Sequence, residues 1–142
     1  MQQFFQFVSN HLILWSVLIF VLLALVIEEL RGKLNAAPTL TAQELAILLN
    51  REEVALIDIR TNDAFRKEHI ISSINNINSS KPEEFSKQLQ SKKKQHIVLI
   101  DNMGTTTSAL AKKLLADGFT KVSTLKDGIA AWKKAGMPTV TK

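Results

Sequence analysis

The sequence predicts an α/β domain, a parallel sheet flanked by helices, preceded by one N-terminal transmembrane helix. Three observations carry that prediction. Residues 12–27 are sixteen in a row with only Ser16 polar, and residues 36–142 alternate short apolar runs with amphipathic stretches. Strands joined by helical crossovers give that alternation, and they build a parallel sheet covered on both faces. The third observation is one of size, since 142 residues without an internal repeat allow a single compact domain.

As a helix, residues 12–27 rise roughly 24 Å and residues 4–27 roughly 36 Å, which brackets a hydrocarbon slab of about 30 Å. A cleavable secretory signal fits less well. Residues 1–11 hold no Lys or Arg, and no small-x-small site follows Ile27. A buried core helix would show a polar face, and this run shows none. Trp15 suits an interfacial aromatic. Basic residues are retained on the cytoplasmic side, and Arg31 and Lys33 follow the span while none precedes it. The expected orientation is therefore N-terminus out, with the following domain in the cytoplasm.

Residues 28–35 extend the helix beyond the bilayer, with Glu29 and Lys33 at i,i+4 spacing, until Pro38 disfavours helical geometry at Ala37. The organisation expected is a short tail (1–11), a transmembrane helix (12–30), a linker (31–38) and a domain (39–142). Within the domain, residues 41–49 read as a helix capped by Thr41 with Glu44 three positions on. Residues 54–59 read as a strand and 62–67 as a short helix capped by Asn62. A strand at 74–77 and a helix at 82–89, with Pro82 in its first turn, come next. Residues 97–100 are the strongest strand signal, an apolar run short enough for a buried parallel strand. Residues 107–116 form a helix closed by Asp117-Gly118, residues 121–125 a strand, and residues 128–134 a helix closed by Gly136.

From Ala36 onward the chain carries sixteen Lys and Arg against eleven Asp and Glu, with runs at Lys92-Lys93-Lys94, Lys112-Lys113 and Lys133-Lys134. These read as a solvated surface, with anionic lipid contact as the alternative. No aromatic residues interleave with them, so nucleic acid is not an expected partner. The chain has no cysteine, which excludes disulfides and thiol metal sites. No pair or triplet has metal-ligand spacing, and neither metal nor cofactor is expected. Asp58 and Arg60 stand at the carboxyl end of a strand, where ligands of open α/β sheets collect, and a structural ion pair is the competing reading. Trp132, three residues after Ile129, reads as core, and residues 105–108 as the cap and start of a helix.

Two stretches resemble a known family. Asp58-Ile59-Arg60, then Phe65-x-x-x-His69-Ile70 and Ile74-Asn75, are similar to the D-x-R, F-x-x-x-H-I-P-G-A-x-N pattern of rhodanese-like domains, with Ile71, Ser72 and Ser73 in place of P-G-A. Leu125 to Trp132, then Gly136-Met137-Pro138, resemble the family's L-x-G-G-x-x-x-W and G-x-P ending, with Asp127 at the first Gly. The resemblance covers nearly all of residues 38–140 and implies the rhodanese-like parallel sheet. It also implies that His69 bonds backbone in its turn. A short domain of this family behind one N-terminal anchor is similar to membrane-tethered bacterial members, which implies the inner membrane.

The match fails in the loop between those halves. The family pattern after the central strand is C-x-x-G-x-R-[ST], and here it reads Asp101, Asn102, Met103, Gly104, Thr105, Thr106, Thr107. In active members that loop aims its N–H groups at an anionic sulfur ahead of a helix N-terminus. Asp101 stands where the resemblance places the Cys nucleophile, and Thr106 where it places the Arg. The expectation is that the Asp101 carboxylate accepts the loop N–H bonds itself, leaving no sulfurtransferase activity and no catalytic residue. The segment is also similar to the D-x-D-G-T motif of haloacid-dehalogenase-like phosphatases, but Met103 replaces the second Asp. The expected function is an inactive, membrane-tethered module. It sits in the bilayer through residues 12–27 and binds a membrane or membrane-associated protein, with Asp58, Arg60, Asp101 and Thr106 as possible contacts. The alternatives are a sulfur relay that works with a partner's thiol and, more remotely, an Asp-based phosphatase.

Overall fold

In a computed structural model, residues 11–34, 36–75 and 80–141 are described. The chain divides into two units, Met1–Asn35 and Ala36–Lys142. In the first, helix α1 spans Leu12–Leu34, and its segment Leu12–Arg31 has a mean hydropathy of 2.5. Its apolar side chains are exposed on every side, from Leu12 through Phe20 to Leu30. Such a surface is costly in water and suited to hydrocarbon.

The second unit holds, in chain order, β1 (Thr39–Leu40), α2 (Ala42–Arg51), β2 (Val54–Asp58), α3 (Asn62–Lys67), β3 (Ile74–Asn75), α4 (Pro82–Gln88), a 3₁₀ turn (Gln90–Lys92), β4 (His96–Ile100), α5 (Thr107–Ala116), β5 (Val122–Leu125) and α6 (Gly128–Lys134). The five strands form one sheet in the order β1-β5-β4-β2-β3, and every pairing is parallel. β4 lies between β5 and β2, with Leu56 opposite Val98 and Leu99 opposite Thr124.

Alternation along the strands explains why helices cover both faces. Ala55, Ile57, Ile97 and Leu99 join Phe85, Leu89, Leu110, Ala111 and Leu114 in one core layer, under α4 and α5. Leu56, Val98 and Ile100 join Ala42, Leu45, Ile129 and Trp132 in the other, under α2 and α6. Neighbouring strand residues point to opposite faces, so a run of apolar residues feeds both layers at once. Trp132 is core as expected, and its indole Nε1–H donates to Pro138 O at 2.9 Å.

Two local details depart from the sequence reading, and a third lies partly outside the described residues. β1 was not foreseen, because two residues carry no readable period; it is held by pairing to β5, with Lys126 N–H donating to Leu40 O at 2.8 Å. The cap of α3 is Thr61 rather than Asn62. Thr61 has extended backbone and its hydroxyl accepts from Ala64 N, whereas Asn62 is the first helical residue. β3 ends at Asn75 among the described residues, and the rest of the expected strand at 76–77 lies outside them. The cap of α2 is as read, a reciprocal capping box in which Glu44 N donates to the Thr41 hydroxyl and Thr41 N donates to Glu44 Oε2.

Candidate functional site

At the carboxyl end of β4 the backbone leaves the sheet at Asp101 and re-enters helical geometry at Thr107. Asp101 is buried, while Asn102, Met103, Thr105 and Thr106 are exposed and Met103 presents 69% of its surface. The buried carboxylate faces back into the loop. Its Oδ1 accepts from Gly104 N, and its Oδ2 accepts from Thr106 N at 2.9 Å and from the Thr106 hydroxyl at 2.7 Å. Three donors converge on one carboxylate. Charge-assisted bonds of this kind are stronger than neutral ones, and here they fix the loop as a closed ring of contacts.

Thr106 has helical rather than extended backbone (φ −97°, ψ −14°), and its hydroxyl donates to Asp101 and makes no cap bond to α5. The helix expected to start within residues 105–108 does so at Thr107, but in place of a side-chain cap Thr106 closes the loop. Thr107, in the first turn of α5, is fully buried, and its hydroxyl has no hydrogen-bond partner among the described residues.

The outer side of the loop is clasped by the start of α6. Ile129 N donates to Asp101 O at 2.9 Å and Ala130 N to Asn102 O at 3.3 Å, so first-turn N–H groups that a helix leaves unpaired meet carbonyls that a loop leaves unpaired. This close approach requires Gly128, at φ 58°: a Cβ there would collide with Asp101 O and the Asn102 backbone. Gly104, at φ 78°, is pressed against Asp127 N in the same way. Sequence reading missed this clasp. The Asp127-Gly128 dipeptide signals a turn but does not say what the turn grips.

Asp58 and Arg60 form a separate buried network. Arg60 Nη2 meets Asp58 Oδ2 at 2.7 Å with side chains 4% and 0% exposed, and the same nitrogen donates to Glu68 O at 2.7 Å. Asn75 Nδ2 donates to the Asp58 and Arg60 carbonyls at 3.1 and 2.9 Å. This geometry ties β2 to α3 and β3, and it leaves the Asp58 carboxylate engaged by Arg60 Nε, Arg60 Nη2 and Arg60 N. His69 closes the same region. Its Nδ1 lies 2.8 Å from Phe65 O, its ring stacks on Phe65 at 4.0 Å between centroids, and its backbone N–H donates to Val140 O.

A second polar chain, running from buried Ser123 through half-buried His96 to exposed Glu52, crosses the opposite end of the sheet. His96 Nε2 lies 2.8 Å from Ser123 Oγ, and its Nδ1 lies 3.8 Å from Glu52 Oε2. Burial holds the His96 imidazole below its usual pKa and Lys121 pushes the same way, while Glu52 pulls against both. Ser123 is only 1% exposed, so the chain is a structural brace and not a nucleophile in reach of solvent. Among the described residues, no three His, Cys, Asp or Glu side chains gather in a way that could hold a metal ion.

The fold and site define a parallel α/β domain whose central strand runs into a loop and then a helix, with the loop's N–H donors taken by its own Asp101 carboxylate. The chain belongs to the rhodanese-like domain family, whose profile matches residues 41–135. It is 31% identical over 140 residues to the uncharacterized protein YibN of Escherichia coli (strain K12), covering 99% of this chain and 98% of that one. It is 24% identical over 86 residues to the thiosulfate sulfurtransferase GlpE of Coxiella burnetii (strain RSA 331 / Henzerling II), covering 61% of this chain and 78% of that one. The solution structure of the rhodanese-like domain of Alr3790 from Anabaena sp. superposes with a TM-score of 0.62 at 27% identity, over 74% of this chain and 80% of that one. The absence of cysteine means that no persulfide can form on this chain.

Proposed function

We propose that this chain is a membrane-tethered, non-catalytic rhodanese-like module that binds another protein. The span is residues 12–30, the linker 31–38 and the module 39–142, with the N-terminus outside and the module at the cytoplasmic face of the inner membrane. Arg31 and Lys33 after the span support that orientation. The observation that carries the non-catalytic reading is the set of three hydrogen bonds into the Asp101 carboxylate. They occupy the donors that would otherwise stabilise a substrate anion, and the nucleophile position holds a group that sulfur chemistry cannot use. The same bonds argue against Asp101 as a phosphoryl acceptor, since both its oxygens are engaged. Asn102, Met103, Thr105 and Thr106 remain exposed on the loop face and offer a neutral surface with one large apolar side chain.

Two measurements test this. In a thiosulfate-to-cyanide assay the purified full chain is expected to match the enzyme-free blank, and turnover above it would refute the reading. Asp101→Cys is expected to restore little, because no Arg or Lys lies at positions 102–106 to lower the thiol pKa or hold thiosulfate. A photo-crosslinker at Met103 in intact membranes is expected to capture a protein. Capture of lipid alone would remove the loop face as the binding surface.

A further inference from the structure

Because all five strands run parallel, every connection that leads into a strand arrives at the same end of the sheet. That amino end collects Glu52 and Glu53 ahead of β2, residues 90–95 ahead of β4 and residues 117–121 ahead of β5. The chain runs into β1 from that side too, although β1 itself pairs with Thr124 and Leu125 at the far end of β5: Thr124 N donates to Pro38 O at 3.0 Å, and Ala37 packs on the core layer of α4 and α5. The Asp101 loop lies at the carboxyl end. Only residues 35–38 separate α1 from β1, and Leu34 to Thr39 spans no more than about 18 Å even when extended.

The amino end is basic. Arg51, Lys92, Lys93, Lys94 and Lys121 stand there with Glu52, Glu53 and Asp117, and each of those acids is already engaged. Lys121 Nζ holds Glu52 at 3.3 Å, Gln95 Nε2 donates to Glu53 at 2.8 Å, and Lys113 Nζ holds Asp117 at 2.9 Å. Lys93 donates to Asp117 O at 2.9 Å and lies 5.5 Å above the Phe119 ring. Arg51, Lys92 and Lys94 form no ion pair among the described residues, and Arg51 and Lys94 are exposed. The exposed residues of the Asp101 loop, Asn102, Met103, Thr105 and Thr106, carry no charge, and beside them at the carboxyl end the exposed Lys126 and Asp127 offset each other in formal charge.

We propose that the amino end of the sheet, through Arg51, Lys92 and Lys94, docks on anionic lipid headgroups of the membrane that holds α1. The inference rests on reading α1 as a membrane span. A tether of this length lets these cations come within roughly a Debye length, about 8–10 Å, of a negatively charged surface, where the attraction acts. Docking by this end turns the Asp101 loop away from the lipid. The lysine run is then a lipid-facing surface and not merely a solvated one.

The cysteine-free chain makes the test direct, because a single introduced thiol is unique. Ser91→Cys in the 3₁₀ turn and Asn102→Cys in the loop, both at exposed positions, are labelled with a fluorophore in the full chain and reconstituted in lipid nanodiscs. The discs carry headgroup-spin-labelled phosphatidylcholine, with or without phosphatidylglycerol. Quenching is expected to be several-fold stronger at position 91 than at 102 when phosphatidylglycerol is present. It should fall toward the loop value in about 0.5 M salt or on adding Lys92→Gln and Lys94→Gln. Equal quenching at the two sites, or stronger quenching at 91 that ignores lipid charge, salt and the lysine changes, would overturn the docking. A chain that does not remain with the discs would overturn the span reading and the docking with it.

Discussion

Asp101 holds its loop through bonds that no neutral side chain could reproduce. Truncation to Ala leaves the Gly104 and Thr106 N–H groups and the Thr106 hydroxyl without their acceptor, in a loop pinned from behind by α6. Asp101→Ala is expected to cost about 2 kcal/mol of stability, and Asp101→Asn less because one carbonyl oxygen remains; urea unfolding midpoints measure both. His96 gives a second expectation at this scale. Its folded pKa lies below its unfolded value of about 6.5, so between those values the unfolded chain binds more protons. The contribution is complete above the unfolded pKa and is lost as pH falls from it toward the folded value. Urea titrations from pH 7.5 to 5.5 should show that decline, and His96→Gln should flatten it.

The links between elements show where this sequence departs from glycine. Ser72, in the turn before β3, has φ 65°, and Asp127, at the start of α6, has φ 55°. These are the two positions at which the family pattern quoted above carries Gly and this chain does not. A left-handed conformation costs a side-chain-bearing residue about 1–2 kcal/mol, and glycine returns part of that gain through its freer unfolded chain. Ser72→Gly and Asp127→Gly are each expected to raise stability by about 0.5 kcal/mol, read as a shift in melting temperature. Elements with a period were legible: residues 97–100 announced β4, Thr41 and Glu44 announced the start of α2, and the Gly118 and Gly136 stops announced helix ends. What escaped were features set by partners distant in sequence, namely β1 against β5 and the grip of α6 on Asp101. Thr61 displaced Asn62 as a cap because two adjacent residues can both cap, and only the extended backbone at Thr61 selects between them.

For the whole molecule, the β-strand and helix alternation made the layer order readable, since one apolar run feeding two core layers admits few other arrangements. The candidate site was legible in its residues and not in its wiring. Asp101 and Thr106 are joined in the loop, whereas Asp58 and Arg60 serve a separate buried network that braces β2 against α3 and β3. The Asp101 contacts also bear on constancy. A loop built around a thiol presents different surfaces when it is reduced, persulfidated or oxidised. A loop built around a carboxylate has no such states. The centre of this loop is therefore the same whatever the supply of sulfur, and what oxidant can still alter on it is the exposed Met103 thioether at its rim, which becomes a polar sulfoxide.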